Sequence, residues 1–188
     1  MSLILIDPGH GGADSGACAS GLKEKDLNLE IALKLWRILW RKNISASLTR
    51  ITDLEKSLHQ RCEMANRLKA DFFLSIHCNS APNAQAEGVE IFYFPTSAKG
   101  KMWAELILSF LEELGRKIRG AKPANFYVLR HTQMPACLVE CGFISNPKEA
   151  EWLKNSTERI AKVLAEAIEK GITQGLAQPF NAYQLAAD

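Results

Sequence analysis

Residues 3–16 read Leu-Ile-Leu-Ile-Asp-Pro-Gly-His-Gly-Gly-Ala-Asp-Ser-Gly, and this stretch sets the fold class. A short apolar run at its start predicts a buried strand. The strand leads into a loop that is too rich in glycine to belong to a core segment, and this loop presents the imidazole of His10. Further apolar runs alternate with amphipathic stretches along the chain. We therefore predict an α/β fold of three layers, in which helices flank a mostly parallel, twisted β-sheet of about six strands.

The remaining elements follow from the same two periodicities. Apolar runs predict strands at 3–6, 44–49, 72–77, 89–94, 126–129 and 137–141. Apolar residues at helical spacing predict helices at 27–40, 54–68, 103–114 and 157–170, the last ended by Gly171. Another helix is predicted to begin after Asn146, because an asparagine cap precedes a proline there. We predict one catalytic domain over residues 1–174 and a short C-terminal tail over residues 175–188.

The composition excludes several classes of protein. The chain has 188 residues, a formal net charge of +2 and 47% hydrophobic residues. These values fit one domain with a full core, and they indicate neither a disordered chain nor a nucleic-acid-binding protein. No apolar run approaches the ~18 residues of a membrane span, and the start of the chain lacks the basic residues and the length of a signal peptide. We expect a soluble monomer that is made in the cytoplasm.

The five cysteines form no evident disulfide framework. Their odd number favours reduced thiols. Cys137 and Cys141 are four residues apart in a predicted strand, which places them about 13 Å from each other and beyond disulfide reach. We predict that both are small core residues.

Two of the four histidines lie where a predicted strand ends. His10 follows the first strand and His77 ends the third, and ligands of parallel sheets bind beyond the carboxyl ends of the strands. A catalytic zinc ion needs three protein ligands and an open position for water, so a third donor is required. Glu24, at the start of a helix, is the nearest carboxylate outside the first loop. Asp14 and Asp26 compete with it, and spacing alone does not decide among the three.

Glu140 is a lone carboxylate inside the apolar strand predicted at 137–141. The alternation of side chains along a strand places it on the face opposite Val139 and Cys141. An unpaired buried carboxylate is costly. We therefore expect Glu140 either to pair with a cation or to serve as the proton acceptor that attack of water on an amide requires.

Several separate segments carry a resemblance to one family, in the right order along the chain. They are 7–12, 14–17, 24–29, 65–66, 70–71, 75–80, 88–90, 119–122 and 134–146. The first reads Asp-Pro-Gly-His-Gly-Gly, the third Glu-Lys-Asp-Leu-Asn-Leu, and the last contains Leu-Val-Glu-Cys-Gly-Phe-Ile-Ser-Asn. Together they resemble the zinc-dependent N-acetylmuramoyl-L-alanine amidases of the third amidase type over nearly the whole chain. That family usually has alanine at the position of Cys78.

The resemblance implies a site and a reaction. His10, Glu24 and His77 would ligate one Zn²⁺ ion, and Glu140 would be the catalytic carboxylate. The substrate would be peptidoglycan, cleaved at the amide between the lactyl group of N-acetylmuramic acid and the L-alanine of the stem peptide. Zinc would polarise that carbonyl and activate water, while Glu140 carries the proton to the alanine nitrogen. The candidates for substrate contacts are Asn79, Arg130 and His131.

Two further features bear on how such an enzyme works. No long helical insertion follows the strand predicted at 89–94, so we expect an open site and not one that is plugged by an inhibitory helix. Neither a signal peptide nor a wall-binding repeat is recognisable. We expect action at the bacterial cell wall, and either a phage-style release route or excision of this domain from a longer protein accounts for the missing segments.

Other functions stay open at this point. A cysteine hydrolase could use Cys78 or Cys141, but Cys78 adjoins His77 in a strand and their side chains point apart. A phosphate-binding loop is disfavoured, because the glycine-rich loop lacks the lysine and the serine or threonine of a P-loop. A wall-binding module without catalysis is disfavoured because all four candidate catalytic residues are present.

Overall fold

The computed structural model describes residues 2–177. Its strands are β1 (Leu3–Pro8), β2 (Cys18–Ala19), β3 (Leu22–Lys23), β4 (Ser45–Leu48), β5 (Phe72–Asn79), β6 (Val89–Tyr93), β7 (Ile118–Pro123) and β8 (Ala136–Phe143). Its helices are α1 (Glu24–Arg41), α2 (Leu58–Arg67), α3 (Ala98–Leu111), α4 (Tyr127–His131) and α5 (Pro147–Thr173). A 3-10 turn, Glu112–Leu114, follows α3.

A six-stranded sheet forms the centre of the fold, with the strand order β4-β1-β5-β8-β6-β7. Neighbouring strands in it are parallel, except that β6 and β8 are antiparallel. The short strands β2 and β3 form a separate antiparallel pair. A mostly parallel, six-stranded sheet flanked by helices confirms the predicted fold class.

Helices cover both faces of the sheet, and the side chains of β1 alternate between them. Ile4 and Ile6 point into the larger core, which includes residues of α1, α3 and α5. Leu5 points into a smaller core that it shares with residues of α2 and α4. Phe73 of β5 belongs to this smaller core as well. His77 lies four residues further along β5, so its side chain is on the same face of the sheet.

One predicted strand is wrong. Residues 126–129 belong largely to the short helix α4, although their aromatic and β-branched side chains favour a strand. The sixth strand is β7, at the edge of the sheet. Most of its residues are only half-buried. An edge strand that contains arginine, glycine and lysine offers no apolar run, so the pattern that identified the other strands is missing.

The two helices predicted after Asn146 form one continuous helix, α5, of 27 residues. Its start is confirmed, because the Asn146 side chain accepts hydrogen bonds from the backbone N–H groups of Lys148 and Glu149. Its predicted end is wrong, since the helix continues past Gly171. A Cβ atom at Gly171 would lie 2.2 Å from the ring of Trp103 in α3. This glycine therefore permits close packing of two helices and does not end one.

The described residues also bear on the expectations for the cysteines and the chain ends. All five cysteines are free, and Cys137 and Cys141 are buried as predicted. No helix within residues 2–177 is long and apolar enough to cross a membrane. The tail predicted at 175–188 lies outside the described residues from 178 onward. The domain limits of 1–174 stay a prediction.

Candidate metal centre

His10, Glu24 and His77 come together at the carboxyl ends of β1 and β5. His10 lies just beyond β1, His77 lies in β5, and Glu24 is the first residue of α1. Each residue offers one ligand atom, and these atoms all lie within 4.8 Å of one another. Two imidazole nitrogens and one carboxylate oxygen are a donor set that suits zinc.

Buried arginines hold the loop that carries His10. His10 has a backbone φ of 61°, a left-handed conformation that is uncommon for residues other than glycine. Arg61 donates hydrogen bonds to the carbonyls of His10 and Pro8, both at 2.8 Å. Arg50 donates to the carbonyls of Pro8 at 3.0 Å and Gly9 at 2.9 Å. These bonds stabilise a loop conformation that would otherwise be costly.

The positive charge of Arg61 is paired beneath the loop. Asp7 accepts hydrogen bonds from Arg61 at 2.7 Å, from Thr49 at 2.6 Å and from Ser75 at 2.7 Å. All four residues are buried, and a buried ion pair is tolerated when its hydrogen bonds are satisfied. This cluster was not predicted from the sequence. The available signal was Arg61 itself, a charged residue on the apolar face of the helix predicted at 54–68.

Glu24 connects the two imidazoles. Its Oε1 lies 3.2 Å from His10 Nε2 and 2.9 Å from His77 Nδ1. Its Oε2 accepts a hydrogen bond from the backbone N–H of Ala17 at 2.9 Å. Burial alone would raise the pKa of Glu24, but the hydrogen bonds with His10 and His77 outweigh it and hold that pKa well below its ordinary range. Glu24 is therefore ionised, as a carboxylate metal ligand has to be.

The two competing carboxylates lie outside this cluster. Asp14 Oδ2 is 2.7 Å from His10 Nδ1, the ring nitrogen that faces away from Glu24. Asp26 is exposed on α1. Burial alone would lower the pKa of His10, but its contacts with Glu24 and Asp14 raise it. A proton and a cation would therefore compete for this imidazole.

Glu140 lies beside the cluster on β8. It is the register partner of His77 in the parallel β5–β8 pair, so both side chains project from the same face of the sheet. Its Oε2 is buried and has no hydrogen-bond partner among residues 2–177. Burial, together with the negative charges of Glu24 and Glu90, raises the pKa of Glu140 well above its ordinary range. Among the described residues, no cation donates a hydrogen bond to Oε2 of Glu140.

One cavity of about 470 Å³ joins these residues. His10, Glu24, His77 and Glu140 all line it. The exposed apolar side chains of Leu58, Phe126 and Tyr127 line it as well. The cavity therefore presents both polar groups and an apolar surface, as binding sites for organic ligands commonly do.

Comparison with known proteins identifies the family. The sequence pattern of the family described as N-acetylmuramoyl-L-alanine amidase matches residues 4–174. The chain belongs to the N-acetylmuramoyl-L-alanine amidase family. This amidase is 42% identical over 195 residues to the N-acetylmuramoyl-L-alanine amidase CwlM of Bacillus licheniformis, with 100% of this chain and 72% of the relative covered. It is 40% identical over 189 residues to a sporulation-specific N-acetylmuramoyl-L-alanine amidase of Bacillus subtilis strain 168, with 96% of this chain and 69% of the relative covered.

Solved structures agree with the sequence relatives. The catalytic domain of CwlV, an N-acetylmuramoyl-L-alanine amidase from Bacillus (Paenibacillus) polymyxa var. colistinus, has a TM-score of 0.88 and 36% sequence identity to the amidase described here. That comparison covers 92% of this chain and 99% of the CwlV domain. In this amidase β6 ends at Tyr93 and α3 begins at Ala98, so the link between them is too short to contain an inhibitory helix.

The three candidates for substrate contacts lie in different places in the amidase. Asn79 lines the cavity, and its Nδ2 donates to Glu90 Oε1 at 2.7 Å. Arg130 is exposed on α4 and belongs to a different surface depression. The ring of His131 stacks on that of Tyr127, with 4.1 Å between the ring centroids. Neither Arg130 nor His131 lines the cavity of the metal centre. A role in substrate binding stays a prediction for all three.

Proposed function

We propose that this amidase uses one zinc ion, held by His10, Glu24 and His77, with Glu140 as its proton carrier. The bond that it cleaves would be the amide between N-acetylmuramic acid and the L-alanine of the peptidoglycan stem peptide. The observation that carries the proposal is the clustering of three ligand atoms beside Glu140 in one cavity. Membership of the amidase family supports the choice of bond.

The donor set and its surroundings fit such an ion. Three protein ligands leave a position for water, which is the arrangement of catalytic zinc sites. Glycines make room for the ligands. A Cβ atom at Gly9 would lie 2.2 Å from Cε1 of His77, and one at Gly16 would lie 2.6 Å from Oε2 of Glu24. Side chains larger than hydrogen at these two positions would displace the ligands.

The metal ligands and Glu140 would have different roles in amide hydrolysis. When bound, zinc supplies a Lewis acid and makes a nucleophilic water available near neutral pH. Glu140 faces the same cavity with an unpartnered oxygen, so it would accept the proton from water and deliver it to the alanine nitrogen, a poor leaving group until it is protonated. Burial is the main cause of the raised pKa of Glu140, and the charge of Glu24 adds to it. Glu140 would accept the proton in its ionised form, and a cation held by Glu24 would offset the charge of Glu24.

The chemistry of the cysteines does not favour a cysteine hydrolase. Cys78 and Cys141 are fully buried in the larger core. Burial raises the pKa of both thiols. A nucleophilic cysteine has to be an accessible thiolate, and neither residue meets that requirement.

The natural place of action would be the bacterial cell wall, because that is where the polymer occurs. The chain would act there as a monomer. The exposed apolar side chains beside the ligands would contact the polymer where it enters the cavity.

The deciding experiment is digestion of purified peptidoglycan, with new L-alanine amino termini and new reducing sugar ends counted separately. Wild-type protein should release L-alanine termini and no reducing ends. A chelator should abolish the release, and added zinc should restore it. Pretreatment with a thiol-alkylating reagent should leave the rate unchanged.

Two outcomes would overturn parts of the proposal. New reducing ends would mean that the cleaved bond is glycosidic. Full activity after exhaustive chelation would mean that the centre is not metal-dependent. As a matched control, Glu140→Gln should bind zinc as wild type does and release few L-alanine termini, which separates loss of the ion from loss of the proton carrier.

A further inference from the structure

The two imidazoles of the proposed metal centre present different ring nitrogens to Glu24. His10 uses Nε2, at 3.2 Å from Glu24 Oε1. His77 uses Nδ1, at 2.9 Å from the same oxygen. A histidine ligand can bind a metal through either nitrogen, and the hydrogen bond at the other nitrogen sets which one is free to bind. The two ligands therefore need different supports.

Asp14 supports His10. Its Oδ2 lies 2.7 Å from Nδ1 of His10, on the side of the ring that faces away from Glu24. An acceptor at this position fixes the proton on Nδ1 and leaves Nε2 as the lone-pair nitrogen. The same contact restrains the rotation of the ring. The Asp14 side chain is 56% exposed, so packing by neighbouring residues does not force it against the His10 ring.

The backbone around Asp14 holds its carboxylate in place. The backbone N–H of Gly11 donates a hydrogen bond to the carbonyl of Asp14 at 2.8 Å, and the N–H of Asp14 donates one to the carbonyl of Gly11 at 3.1 Å. The N–H of Gly16 donates to Asp14 Oδ1 at 3.0 Å. One carboxylate oxygen is thus anchored to the loop, and the other is aimed at the imidazole. This is the geometry of a built support and not of a mobile surface acid.

His77 has a support of another kind. Its ring packs against the backbone of Gly9, where a Cβ atom would approach the ring nitrogens Nε2 and Nδ1 to 2.3 Å and 2.8 Å. Within residues 2–177 the side-chain hydrogen bond of His77 goes to Glu24. Steric contact fixes the orientation of this ring, whereas a charge-assisted hydrogen bond fixes that of His10.

We propose that Asp14 is a positioning residue that holds the His10 ring with Nε2 toward the metal, and so raises the affinity of the centre for zinc. This inference rests on the proposed function, because it needs the ion to bind at His10, Glu24 and His77. Asp14 lines the cavity but is not one of the three grouped ligand residues. It acts through the imidazole alone.

The first test measures zinc affinity by competition with a chromophoric chelator. Asp14→Asn and Asp14→Ala should bind zinc about 10–100-fold more weakly than wild type, the usual effect of removing such a support. Asp26→Asn is the matched control, since it removes an equal charge from an exposed residue at the start of α1 and should leave affinity unchanged. The metal-free forms of Asp14→Asn and Asp26→Asn should melt close to the wild type, because asparagine can keep the hydrogen bond from the Gly16 N–H and both positions are exposed.

The second test reads the ring nitrogens of zinc-loaded protein by ¹H–¹⁵N nuclear magnetic resonance, first in wild type and then in Asp14→Asn. His10 should carry its proton on Nδ1, and His77 should carry its proton on Nε2. In Asp14→Asn the signals of His10 should broaden or shift, while those of His77 stay in place. A purely structural role for Asp14 would not produce this selective change.

The outcomes separate the inference from the function on which it rests. If wild-type protein binds no zinc, the metal centre itself is wrong and the role of Asp14 falls with it. If wild type binds zinc and Asp14→Asn binds it equally well, or if His10 carries its proton on Nε2, the metal centre stands and the role of Asp14 is overturned. Weaker zinc binding by Asp14→Asn, together with a proton on Nδ1 of His10 in wild type, supports both the metal centre and the role of Asp14.

Discussion

The two parts of the proposed active site are built in opposite ways. In the ligand cluster, Glu24 contacts both imidazoles and two backbone N–H groups. On the neighbouring strand, Glu140 has a buried oxygen with no partner in the described structure. The ligands are thus ordered by mutual contacts before any ion binds. Glu140, the proposed proton carrier, keeps its hydrogen-bonding capacity for water and substrate, which would suit catalysis.

The same contrast appears in the ionisation of the two carboxylates. Hydrogen bonds hold the pKa of Glu24 below its ordinary range against the effect of burial. Burial and nearby negative charges raise the pKa of Glu140. Two carboxyl groups in one cavity with pKa values pushed apart take different roles at the same pH. Here the permanently charged group would bind the cation, and the group that changes its charge would move the proton.

The largest effect is expected from breaking the ligand cluster. His77→Ala removes one of three ligands, so the variant should purify with almost no zinc and lose at least about 10³-fold in activity, since the ion contributes several kcal/mol to the reaction. Metal analysis and the peptidoglycan assay check this. Retained zinc at one ion per chain would show that the cluster is not the centre.

The next largest effect is expected from Glu140→Gln. The variant should keep its zinc and lose about 10²–10³-fold in kcat/KM, which is within the range of a general acid–base residue. Its melting temperature should not fall, because the substitution keeps the shape of the side chain. In wild type, kcat/KM should decrease as the pH falls through the pKa of Glu140, since the protonated carboxyl cannot accept a proton. That acidic limb should be absent from the pH profile of the variant.

A smaller effect is expected from adding one methyl group beside a ligand. Gly9→Ala places a Cβ atom 2.2 Å from the ring of His77, so the ring has to move and zinc affinity should fall by about tenfold or more. Gly21→Ala is the control, because nothing lies within 4 Å of its Cβ position. The control should lose some stability through its backbone φ of 74° and keep its zinc affinity. Equal affinities in the two variants would contradict the packing argument for His77.

The smallest effects are expected at the substrate-contact candidates that lie outside the cavity. Arg130→Ala and His131→Ala should each change kcat/KM by less than about threefold, because any contact that they make with the substrate would lie outside the cavity of the ligand cluster. Asn79→Ala should have a larger effect on KM, since Asn79 lines the cavity. A strong loss in Arg130→Ala would mean that the polymer extends across α4, well beyond the ligands.

The sequence predicted those parts of the fold that depend on periodic burial. The apolar runs of β1, β5 and β8 identified the central strands, and Asn146 identified the start of α5. The edge strand β7 could not be found in this way, because a half-exposed strand has no apolar run. Gly171 was misjudged because a glycine that ends a helix and a glycine that admits a tryptophan look the same in sequence.

Some residues of the proposed site could be predicted from the sequence in the same way, and others could not. Strand ends and a carboxylate in an apolar run indicated His10, His77 and Glu140 as candidates. Spacing did not choose Glu24 over Asp14, because that choice depends on where α1 begins relative to β5. The buried partners of the His10 loop, Arg50 and Arg61, were missed. Both arginines donate hydrogen bonds to backbone carbonyls. Every residue has a backbone carbonyl, so the sequence does not show which carbonyls need a side-chain donor.

The strand order of the sheet has a consequence for folding. β5 and β6 follow each other along the chain, yet β8 lies between them in the sheet. Until β8 is in place, β5 and β6 each present an open edge of unpaired N–H and C=O groups, and such edges invite pairing with other chains. The contacts that close the gap join residues far apart in sequence, which makes this step slow. A chain growing on the ribosome has β1 available to pair with the strand of His77 early, but the second neighbour of that strand arrives only with the strand of Glu140. The two parts of the proposed active site are therefore completed by the same event.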